Sequence, residues 1–230
     1  MDTKTDKEQI IDLLASKSIC KYKVFDNTYD SFKKIKELLA EIADELKGEF
    51  SNRKENIPIQ YKERGEYEVE FKVAGDLLLF NMHTNVFEFP KAHAVMQTKY
   101  VKDNVLRSYC GVISIYNFLA DSFKYNRLND VGYLIGRLFV NKENHFLVEG
   151  KRQLGFLFND FTNQEISKEY LKKIIEASLK YSIEFDLLVP PFDEVKLVSV
   201  QEMNQIASSV SLKTGKRLGF RYEANNNEIK

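Results

Sequence analysis

The stretch Tyr67-Glu68-Val69-Glu70-Phe71-Lys72-Val73 decides how this chain is read. Apolar residues hold every odd position and charged residues every even one. Successive strand side chains point to opposite faces, so a period of two predicts a strand with one buried and one wet face. Upstream the period changes. Phe32, Ile35, Leu39, Ile42 and Leu46 are spaced by three and four, which aligns them on one stripe of a helix with about 3.6 residues per turn. Gly48 is read as the C′ residue of that helix, and the polar stretch Ser51–Pro58 separates the two patterns. A strong helix followed by half-buried strands predicts an α+β fold, a mainly antiparallel sheet with helices packed on one face.

Working outward, Gly75-Asp76 reads as a two-residue hairpin turn. Leu77–Phe80 and Val86–Phe89 continue a meander around His83-Thr84-Asn85. Val112–Phe123 suits a buried strand or a helix, and periodicity does not separate them. Val131–Val140, a turn at Asn141–Asn144 and His145–Glu149 read as a hairpin, with Leu154–Phe158 a further strand. Thr162 and Glu165 have capping-box spacing ahead of a helix with Ile166, Tyr170, Ile174, Ala177 and Tyr181 inward. Phe185–Val189, stopped by Pro190-Pro191, and Val195–Ser199 read as short strands. Ser199 and Glu202 cap a last helix with Met203, Ile206, Ala207 and Val210 inward, and Leu218–Tyr222 closes a sheet edge. At the other end, Thr5 and Glu8 cap a short helix whose narrow apolar face is Ile10, Ile11, Leu13 and Leu14.

These periods predict a core built on Phe32, Leu39, Ile42, Val69, Phe71, Val112, Leu134, Leu138, Ile174 and Ile206. One domain over residues 1–223 is expected, with any subdivision falling near 159–163 and a disordered tail at 224–230.

Composition narrows the classes of function. Of the 230 residues 43% are hydrophobic and 30% charged, which suits an ordered globular chain. Thirty-four basic residues balance thirty-four acidic ones. No overall field draws in nucleic acid or an acidic membrane, so neither is an expected partner. Cys20 and Cys110 form no CxxC pair and read as reduced thiols. The polar N-terminus lacks an apolar leader, and the longest apolar runs, such as Leu77–Phe80, fall far short of the ~20 residues of a membrane span. A soluble, cytoplasmic protein is expected.

Chemistry-bearing motifs are sparse. His83, His93 and His145 have no metal-ligand spacing. Ser114 lacks the glycine frame of a nucleophile elbow, Cys110 lies beside an apolar run, and neither GxxxxGK[ST] nor GxGxxG occurs. Ser31-Phe32-Lys33-Lys34 and Lys213-Thr214-Gly215 match two short motifs of serine β-lactamases, but no Ser-Asp-Asn lies between them. No cofactor is expected from these residues.

Two constellations remain. Asp130 precedes the strand Val131–Val140, and Glu149-Gly150-Lys151 ends the returning strand, with a helix and a strand after it. That order resembles metal-dependent nucleases of the PD-(D/E)xK class. The resemblance implies Mg²⁺ on the carboxylates of Asp130 and Glu149, with Lys151 positioning the attacking water. The chain departs from the class at Gly150, where an apolar residue is usual, and by an extra strand before the helix. Glu70-Phe71-Lys72 and Glu194-Val195-Lys196 also satisfy the short pattern. The alternative is a hairpin with solvated end charges.

The second constellation is an internal echo. Gly150-Lys151-Arg152-Gln153-Leu154-Gly155-Phe156 resembles Gly215-Lys216-Arg217-Leu218-Gly219-Phe220. If the two basic turns share a sheet edge, Lys151, Arg152, Lys213, Lys216, Arg217 and Arg221 converge on an anionic ligand. The competing reading is that these cations keep strand edges soluble. The leading expectation is therefore a non-catalytic binding or regulatory module for an anionic ligand or a protein partner. The alternatives are the nuclease and an assembly protein that uses the Phe32–Leu46 stripe as an interface.

Overall fold

The computed structural model describes residues 4–128, 130–186, 188–201 and 203. Residues 6–52 are one run of helix: α1 (Asp6–Leu13), a π-helical turn at Leu14–Ser18, and α2 (Ile19–Asn52). The predicted capping box is present, with the Glu8 N–H donating to the Thr5 hydroxyl and the Thr5 N–H donating to the Glu8 carboxylate. The predicted stop at Gly48 is not. Phe50 packs against the core and holds one more turn, and the chain leaves the helix at Lys54, whose φ is +57°.

Among the described residues the sheet has seven antiparallel strands: β1 (Ile59–Gly65), β2 (Glu68–Val73), β3 (Asp76–Met82), β4 (Phe87–Glu88), β5 (Tyr109–Leu119), β6 (Tyr133–Asn141) and β7 (Phe146–Gly150). Their order is β1-β2-β3-β5-β6-β7, and β4 pairs with β5. Val69, Phe71 and Val73 are buried in β2 as the alternation requires. The turn to β3 lies at Ala74-Gly75, because Val73 pairs with Asp76, so it sits one residue earlier than expected. Ala74 carries its left-handed φ of +49°. β4 does not continue the meander beyond β3. It follows β3 along the same edge of β5, with Phe87 opposite Cys110 where Met82 is opposite Ile113.

The ambiguous Val112–Phe123 segment is divided between strand β5 and a short helix, α4 (Ala120–Lys124). β1 carried no readable period. It is an edge strand of mostly polar residues, and charges on an exposed edge oppose pairing with other chains.

The long helices lie on one face. α2 and α6 (Lys168–Ile183) cover the sheet, and Phe32, Leu39, Ile42, Val69, Phe71, Leu138 and Ile174 form part of the core between them. The Phe32–Leu46 stripe is thus consumed by the protein's own core. Val112 is buried on the other face, with Phe89, Val101, Phe139, Leu147 and Phe161, under the chain around α3 (Lys99–Asp103). Leu134 is a correction, since it is 40% exposed while Ile135 is buried. Ile115 pairs with Gly136 and Tyr116 with Leu134, so Ile135 is an extra residue, and this β-bulge exchanges the two faces of the strand.

The second half brings further corrections. Leu154–Phe158 is not a strand: α5 (Gln153–Leu157) folds back onto the end of β7. A Cβ on Gly155 would lie 2.5 Å from the Gly150 carbonyl oxygen, so the two glycines allow this close return. The α6 cap is Ser167, whose hydroxyl accepts from the Tyr170 N–H at 3.1 Å, and not Thr162. Glu165 instead bridges to His145. The described residues of 185–189 and 195–199 form no strand, and α7 (Phe192–Val195) is a single helical turn. Ile206, Ala207, Val210, Leu218–Tyr222 and the 224–230 tail lie outside the described residues.

Candidate functional site

The nuclease constellation is the first to place. Glu149 lies directly across the ladder from Arg137 and forms an ion pair with it. Its other oxygen meets His93 Nε2 at 3.2 Å. Asp130 belongs to a different group: the Ser122 hydroxyl donates to it at 2.7 Å, and Arg127 pairs with it at 3.8 Å. Arg137, level with Glu149, is four residues into β6 from Tyr133, roughly 13 Å at ~3.3 Å per residue. Asp130 lies three residues beyond Tyr133 in the opposite direction. A bridging ion needs both carboxylates within roughly 2.0–2.6 Å. The two do not meet to hold Mg²⁺, and no group of three His, Cys, Asp or Glu among the described residues is placed to bind a metal.

The anion constellation is described only in part. Lys213, Lys216, Arg217 and Arg221 lie outside the described residues. The Lys151 N–H donates to the Ile135 carbonyl, which ties the turn to β6. Arg152 reaches α6, where it pairs with Glu184 at 3.5 Å and lies 5.6 Å from the Tyr181 ring centre. A groove of about 560 Å³ runs between α5 and α6, lined by Leu157, Phe158, Tyr170, Lys173 and Lys180 among others. Its lysines are engaged, Lys173 with Glu169 and Lys180 with Glu184.

A polar network that the sequence did not announce surrounds the β6–β7 turn. Asn141 is fully buried. Its amide donates to the Tyr100 hydroxyl at 3.0 Å and the Arg107 carbonyl at 3.3 Å, and its oxygen accepts from the Glu143 and His145 N–H groups. Tyr100 donates to Glu143 at 2.8 Å, and Arg107 Nε meets both Glu143 oxygens. His145 stacks on Tyr100 at 4.6 Å. Burial alone would raise the Glu143 pKa, but the Tyr100 hydroxyl and the Arg107 guanidinium outweigh it and hold the carboxyl below its usual range. Burial and the Glu143 charge push the Tyr100 phenol upward.

The network has the character of a structural clasp, and it predicts a pH dependence. A carboxyl whose pKa is depressed by folding adds stability above its unfolded value of about 4.3, and that stability is lost as pH falls through the folded value. Urea midpoints followed from neutral to acid pH should therefore fall less steeply in Glu143→Gln than in the parent. Parallel acid limbs would show that Glu143 contributes nothing.

The strongest exposed feature is apolar. In the helix ahead of Cys20, no residue of α1 or the π-turn is buried. Ile10, Ile11, Leu13, Leu14, Ile19 and Tyr22 are each more than half exposed, Tyr22 at 70%. Cys20 and Val24, on the opposite face, pack against Tyr109. After α6 the pattern recurs. Leu188, Val189, Phe192, Val195, Leu197, Val198, Val200 and Met203 are all exposed, Val189 at 90%. No helix among the described residues is long and apolar enough to cross a membrane. The short helix 10–14 was legible from the sequence, but its exposure was not, because an apolar stripe does not state what covers it. The chain matches no family model, no curated protein and no solved structure.

Proposed function

We propose that the protein is a protein-interaction module: an α+β body that presents two apolar segments, residues 10–22 and 188–203, to partner proteins. The observation that carries this reading is where the large exposed apolar side chains fall. They concentrate in the two stretches that flank the packed body, while the Phe32–Leu46 stripe and the α6 face are satisfied internally. Contiguous apolar surface left in water is costly and marks interaction sites. Carboxylates and cations on the body are largely paired with each other, as Glu149 is with Arg137 and His93 and Arg152 is with Glu184.

The test is site-specific photocrosslinking in cells. A photoreactive amino acid is placed at Leu14, at Val198 and, as a control on the same run of helix, at Lys47. Protein adducts at positions 14 and 198, with none at 47, are expected. Absence of adducts at both apolar positions would overturn the reading.

A further inference from the structure

We draw no further inference here: the strongest candidate, the groove of about 560 Å³ between α5 and α6, has its lysines, Lys173 and Lys180, already paired with Glu169 and Glu184, and nothing in the structure shows what covers it.

Discussion

Phe32→Ala should lower the unfolding free energy by about 3–5 kcal/mol, whereas Leu14→Ala, in the same run of helix, should change it by less than about 0.5 kcal/mol. Both replace a large apolar side chain that the sequence places on an apolar stripe. Phe32 is fully buried between α2 and the sheet, among residues that include Phe71, Phe80 and Ile113. Truncation there removes the transfer energy of the ring and leaves a cavity, because strands β2, β3 and β5 are held in register by their ladders and cannot collapse into it. Leu14 is 55% exposed and belongs to none of the core clusters. Urea denaturation checks both. A large loss for Leu14→Ala would mean that the helix packs on the body.

Asn141→Ala should cost about 2–4 kcal/mol, although the residue is polar and lies at a turn. Its side chain serves both its own turn and the segment around α3. The amide oxygen accepts from the Glu143 and His145 N–H groups, closing the turn into β7 while Asn144 takes a left-handed φ of +62°. The amide nitrogen donates to Tyr100 and Arg107. The Asn141 backbone carbonyl, in turn, receives the Asn27 amide of α2 at 3.0 Å, so the turn is anchored on both sides of the sheet. Alanine would leave two backbone donors without their acceptor in a buried setting, and each such loss costs more than an average hydrogen bond contributes. The loss should appear in equilibrium unfolding and in faster amide exchange at Glu143 and His145. A change below about 0.5 kcal/mol would show that water replaces the side chain at both donors.

The candidate site was legible only in outline. Asp130, Glu149 and Lys151 were selected by spacing along two strands, but spacing does not state which residues stand level across a ladder. Pairing sets Glu149 opposite Arg137 and leaves Asp130 to Ser122 and Arg127. The glycine turn at 150–155 was read as a basic loop. It is a packing device first, in which two glycines let α5 return onto β7. The Asn141 clasp joins residues from α2, the segment around α3 and the β6–β7 turn, and no local pattern connects positions so far apart in the chain.

Periodicity by itself determined the local elements whose one face is buried. The alternation at 67–73 specified β2, the three-and-four spacing at 32–46 specified α2, and Thr5 with Glu8 specified where the first helix begins. Each of these follows from the geometry of a few consecutive residues, where burial on one side imposes a period on the sequence. Tertiary structure decided the rest. It paired the polar edge strand β1, inserted the bulge that turned Leu134 outward, and placed β4 beside β5. It also left Ile10, Leu14, Ile19 and Tyr22 exposed while burying Phe32, Ile35, Leu39 and Ile42. The physical reason is that an apolar stripe records only the demand for burial. Whether the chain itself meets that demand depends on which surfaces the fold brings alongside.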